Sequence, residues 1–176
     1  MNIPNKLTTL RIILVPIFVV FMLTRIPYGG TLAAIIFVVA ALTDSLDGYL
    51  ARKWKQTTKL GAILDPLADK LLITAALISL VELGKLPGWI AIVIIGREFA
   101  VTGLRVVKAE EGIVIAASQL GKLKTISQVV AVMIIMLQHL FYPLTSLPIG
   151  QWAMYIAVLI TLVSGIEYFQ KNKINF

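Results

Sequence analysis

Asp44–Asp69 reads DSLDGYLARKWKQTTKLGAILDPLAD. Its four carboxylates, Asp44, Asp47, Asp65 and Asp69, lie in or at the edge of two long apolar runs. An ionised Asp at bilayer depth costs on the order of 2.5–3.5 kcal/mol even on the mildest scale, so such residues need partners. Helical geometry supplies them. At about 100° per residue, Asp44, Asp47, Gly48, Ala51 and Arg52 share one helix face, and Gly61, Asp65 and Asp69 share a stripe of the next helix. The short loop between the helices predicts an antiparallel pair whose carboxylates face each other. Gly48, Ala51 and Gly61 are small, which permits close helix approach.

The rest of the chain supports a lipid setting. Of its 176 residues, 59% are hydrophobic and 14% charged, with a mean hydropathy of +0.91. A soluble domain is apolar at roughly 45–50% and charged at about 25%. One soluble domain of this length cannot hide the excess, so a single transmembrane domain over residues 1–176 is expected. The absence of cysteine excludes disulfides and thiolate metal sites. The net charge of +7 does not require nucleic acid, because basic loops favour the cytoplasmic side and anionic headgroups. The first apolar stretch lacks a small-residue cleavage site and leads into further spans, unlike a cleaved signal.

Six spans are expected, each near the ~20 residues a bilayer needs: 7–23 with a kink at Pro16, 31–50, 61–81, 89–107, 124–141 and 152–169. Breakers separate them at Pro27–Gly30, at Gly84 with Pro87-Gly88, and from Pro143 to Gly150. Lys6, Arg11, Arg52, Lys53, Lys55, Lys59, Arg105, Lys108, Lys122, Lys124, Lys171 and Lys173 fall at one set of span ends. Only Arg25 and Lys85 fall at the other. The positive-inside rule therefore places both termini and the 52–60 loop in the cytoplasm, and an even number of spans agrees. Trp54, Trp89, Trp152, Tyr155 and His139 read as interfacial residues.

Four converging carboxylates without His or Cys suit hard cations with oxygen ligands, Mg²⁺ or Mn²⁺. Two such ions would neutralise the cluster and clamp a diphosphate, and Arg52 can pair with the same phosphates. A single Asp pair in a span is equally well a structural ion pair. Four Asp, two Gly and an Arg at these spacings are not explained that way.

These residues match the pattern D-x-x-D-G-x-x-A-R-x(8)-G-x-x-x-D-x-x-x-D without departure: Asp44, Asp47, Gly48, Ala51, Arg52, Gly61, Asp65 and Asp69. The chain resembles the CDP-alcohol phosphotransferase family, whose six-helix architecture agrees with the span count. The resemblance implies that the four aspartates bind two divalent metals and that Asp69 is the general base. It also implies that Gly48, Ala51, Arg52, Thr58 and Gly61 belong to the CDP-lipid site. The segment Pro4-Asn5-Lys6-Leu7-Thr8 resembles the part that closes over the nucleotide, making Asn5 and Thr8 further candidates. On physical grounds alone, Pro-Asn before a span is an ordinary helix start. Homodimers are usual in proteins that look like this, although no residue marks a dimer face.

A second stretch bears on the acceptor. Gly96-Arg97-Glu98-Phe99-Ala100-Val101-Thr102-Gly103-Leu104-Arg105 and Gly121-Lys122-Leu123-Lys124-Thr125 resemble the branch of the family whose acceptor is glycerol 3-phosphate. That implies transfer of a phosphatidyl group from CDP-diacylglycerol, with CMP released. Arg97 lies inside an apolar run, where a lone cation is costly, and Arg105 follows two turns later near the same face. With Lys122 and Lys124 they make a candidate pocket for the acceptor phosphate. The plainer alternative pairs Arg97 with Glu98 or an Asp and leaves both lysines as inside-rule charges. Other acceptors (phosphatidylglycerol, serine, an inositol phosphate) remain within the same chemistry. A divalent-cation transporter is the alternative of another class, but it calls for a polar path and often inverted repeats, and the sequence has neither.

Overall fold

The computed structural model describes residues 3–24, 26–54, 59–113, 115, 118–141 and 147–172, with backbone alone at 3–5, 44–54, 59–63, 65–66 and 140–141. Among the described residues the chain is all-helical: α1 Ile3–Leu23, α2 Gly29–Trp54, α3 Lys59–Glu82, α4 Gly88–Glu110, α5 Gln119–Phe141 and α6 Ile149–Lys171. They fall into two compact units, Met1–Gly84 and Lys85–Phe176.

In the first unit α1 packs on α2 and α3, and α2 packs on α3. The buried positions of α1 are Thr8, Arg11, Val15, Phe18 and Met22, a three-four repeat that gives one face to its neighbours. Alanines 33, 34 and 40 of α2 and 68 and 76 of α3 are buried, and these small side chains let the helices approach closely. Phe18 and Phe37 fill the space between, with ring centroids 5.8 Å apart and tilted by 48°. The turn between α1 and α2 is tight: Tyr28 has a positive φ of 62°. A Cβ at Gly29 would lie 2.9 Å from the Phe21 carbonyl oxygen.

In the second unit α6 packs on α4 and α5. Its buried residues are Gly150, Met154, Ala157, Val158, Thr161, Ser164, Gly165 and Tyr168. They recur about every 3.5 residues and form a seam with few large side chains. At the helix starts, Trp89 stacks on Tyr155 at 6.3 Å and Trp152 meets the same ring edge-on at 6.2 Å.

Beside the buried apolar core, many large apolar side chains face outward. Arg11 is fully buried, while Phe99 is 70% and Ile92 73% exposed. Among the described residues, three stretches are long and apolar enough to cross a bilayer: Lys6–Leu23, Gln119–His139 and Ile149–Lys171, with a shorter apolar run at Gly29–Thr43. The helices outrun the expected spans at most ends. α5 begins at Gln119 because Ser118 caps it, its Oγ accepting from the Gly121 N–H at 3.0 Å. α4 ends in a left-handed Gly112 (φ 76°), with the Ile113 N–H donating to Lys108 O and the Gly112 N–H to Ala109 O. That is the double bond pattern by which glycine closes a helix. α1 continues through Pro16.

Candidate functional site

The four aspartates are carried by α2 and α3, two helices of one unit that pack on each other. α2 ends at Trp54 and α3 starts at Lys59, so positions 55–58 alone join them. Positions 44, 47 and 51 continue, in helical register, the series 33, 37 and 40 that is buried in the unit. Asp44, Asp47, Gly48, Ala51, Arg52, Gly61 and Asp65 have helical backbone, and their side chains lie outside the described residues, as does Thr58 altogether. Asp69 is half-buried on α3 beside the buried Ala68. Asn5 is in the first turn of α1, its side chain also outside the described residues, and Thr8 is buried.

Arg11 is a functional candidate that the sequence reading missed. Its position in the sequence groups it with the basic span-end residues, yet it is fully buried, and its Nε donates to Ala40 O at 3.3 Å. That carbonyl is one helical turn before Asp44. A guanidinium buried so close to an acidic helix end supplies positive charge where the sequence places negative charge.

The second unit holds the basic candidates. Arg97 Nη1 lies 3.4 Å from Glu98 Oε1, and Lys124 Nζ bonds the same oxygen. The Arg97 side chain is 9% exposed, Lys124 8% and Glu98 20%. One carboxylate thus ties α4 to α5. From α6, Ser164 Oγ accepts from Arg97 Nη2 at 2.7 Å, while Arg97 Nε is buried without a partner. An unpaired N–H on a buried cation is costly. The plainer pairing of Arg97 with Glu98 is therefore present, and the same bond brings Lys124 in.

Arg105, two turns further along α4, is exposed. Its Nε and Nη2 donate to Tyr168 Oη at 2.9 and 2.5 Å. Lys122 is exposed near the start of α5. The structure thus gathers Arg97 and Lys124 around Glu98, holds Arg105 on Tyr168, and leaves Lys122 outward. Ser164 and Tyr168 had no signal in the sequence, since hydroxyls in an apolar helix carry no distinguishing spacing. His139 is exposed, its Nδ1 3.2 Å from Met136 O.

Long apolar helices with exposed apolar side chains and buried, paired cations mark a helical membrane protein. The chain belongs to the CDP-alcohol phosphatidyltransferase family, whose model matches residues 1–163. It is 49% identical to a CDP-diacylglycerol–glycerol-3-phosphate 3-phosphatidyltransferase of Bacillus subtilis, over 97% of this chain and 95% of that protein. It is 42% identical to the protein of the same name from Haemophilus influenzae, over 98% and 94%. A probable phosphatidylglycerophosphate synthase of Mycobacterium tuberculosis is 41% identical, over 95% and 79%.

Proposed function

We propose that this protein transfers the phosphatidyl group of CDP-diacylglycerol to sn-glycerol 3-phosphate, giving phosphatidylglycerophosphate and CMP. The observation that carries the reading is the complete eight-residue pattern from Asp44 to Asp69 within a chain that aligns end to end with transferases of that name. In the reaction, Asp69 takes the proton of the acceptor hydroxyl. The hydroxyl oxygen bonds to the β-phosphorus, the bond from that phosphorus to the CMP oxygen breaks, and CMP leaves. Gly48, Arg52 and Thr58 hold the CDP moiety, with Ala51 and Gly61 allowing close approach and Asn5 and Thr8 closing over the nucleotide. Arg97, Arg105, Lys122 and Lys124 are the proposed contacts of the acceptor phosphate, and Arg105 and Lys122 are the exposed ones.

The family is generally dependent on a divalent metal. The donor set fits a hard cation, for it offers four carboxylates and no thiolate. Asp44, Asp47, Asp65 and Asp69 would hold two ions, Mg²⁺ or Mn²⁺, which when bound supply charge neutralisation for the diphosphate and its leaving oxygen. The fold is proposed to span the membrane six times with both termini and the active site cytoplasmic. A homodimer is the proposed assembly.

The test is CMP release from CDP-diacylglycerol by the purified protein with each alcohol in turn. Product with glycerol 3-phosphate is expected. Product only with another alcohol overturns the acceptor. Failure with every alcohol, together with metal uptake into liposomes, favours the transporter.

A further inference from the structure

We infer that Tyr168 is a positioning residue for the acceptor: it fixes the Arg105 guanidinium so that one edge stays free for a phosphate monoester. The inference rests on the reading of Arg105 as an acceptor contact. Tyr168 lies beyond residues 1–163, the stretch matched by the family model, so that match says nothing about it.

The geometry is specific. A guanidinium presents five N–H donors in a rigid fork. Tyr168 Oη takes the Nε and Nη2 side of Arg105, at 2.9 and 2.5 Å. Nη1 and the second Nη2 hydrogen face the other way, forming the edge that binds phosphate through two parallel bonds. Tyr168 itself is 3% exposed, packed with Val101 and Leu104 of α4. The hydroxyl is thus held by a locked ring, while Arg105 is exposed. A neutral acceptor matters here. A carboxylate in the same place would hold the arginine equally well but cancel the charge that an anion needs. Glu98 shows the contrast, binding both Arg97 and Lys124.

The hydroxyls of α6 form a ladder that supports this reading. Thr161 Oγ1 accepts from Gln128 Nε2 at 2.8 Å, Ser164 Oγ from Arg97 Nη2 at 2.7 Å, and Tyr168 Oη from Arg105. The spacing 161, 164, 168 keeps all three on the buried seam. Only the last rung ends on an exposed cation.

Steady-state kinetics of Tyr168→Phe in the full-length protein test the proposal. Losing a hydrogen bond to a charged group should raise the KM for glycerol 3-phosphate about tenfold, with kcat and the KM for CDP-diacylglycerol unchanged. In an Arg105→Ala background the same substitution should add nothing, because its effect runs through Arg105. Thr161→Val, which breaks another rung, should leave the acceptor KM as it was. Arg105→Lys gives a second reading should Tyr168→Phe fold poorly. Lysine lacks the edge the hydroxyl grips, so the acceptor KM should rise as far. An unchanged acceptor KM in either variant, or an equal rise for both substrates, overturns the role of Tyr168. A wild-type protein inactive with glycerol 3-phosphate refutes instead the reading on which the inference stands.

Discussion

At the scale of single residues, the acidic positions stand out in the sequence, whereas the burial of Arg11 does not. Carboxylates in apolar helices are conspicuous because lipid penalises them. An arginine in the first turns of a span looks the same whether it snorkels to the interface or turns inward, so only the structure shows Arg11 to be fully buried. Two outcomes follow from the roles assigned. Asp69→Asn keeps the side chain's shape but removes the base, so CMP release should fall by at least about 100-fold. The circular dichroism spectrum should stay the same, with weak metal binding retained. Full activity would remove Asp69 from the base role. Arg105→Ala should raise the KM for glycerol 3-phosphate roughly tenfold or more and the KM for CDP-diacylglycerol far less. Equal losses for both would place Arg105 elsewhere.

At the scale of helices, the six apolar runs identified every element, but their edges were set by groups that hydropathy ignores. The Ser118 cap and the left-handed Gly112 extend α5 and close α4 beyond the apolar stretch. Nor does hydropathy tell which glycines matter. At Gly150 a Cβ would sit 2.8 Å from Ile135 Cγ1 and 3.1 Å from Ile135 Cα, so α5 or α6 must shift. At Gly103 nothing lies within 4 Å. Gly150→Ala should therefore destabilise by about 1–3 kcal/mol. Gly103→Ala should be neutral or gain up to about 1 kcal/mol from helix propensity. Thermal unfolding in detergent of the two variants side by side checks the contrast. Equal midpoints would mean that the α5–α6 crossing yields more readily than its contacts indicate.

At the scale of the whole molecule, α2, α3 and α4 combine a long apolar body with most of the charged candidates. Among the described residues, α1, α5 and α6 contain uninterrupted stretches apolar enough to cross a bilayer. α2, α3 and α4 carry Asp44, Asp47, Asp65, Asp69, Arg97, Glu98 and Arg105. Charged side chains on apolar helices are what a phosphate-transfer site in a membrane needs, and the proposed spans rest on helix length, apolar content and the distribution of basic residues. α2, α3 and α4 are 26, 24 and 23 residues long, and a helix of that length rises about 35–39 Å, more than a hydrocarbon core of about 30 Å. If all six helices cross, the ends of α3 and α6 open to opposite compartments. The chain has no cysteine, so single substitutions report cleanly. A membrane-impermeant thiol reagent should label Lys85→Cys, between α3 and α4, in intact cells. It should label Lys171→Cys, at the end of α6, only after the membrane is opened, because basic residues gather on the cytoplasmic side. The reverse pattern would put the acidic cluster on the outer face, away from a cytoplasmic supply of CDP-lipid and glycerol 3-phosphate. Labelling of both sites in intact cells would leave an odd number of crossings between positions 85 and 171 untenable.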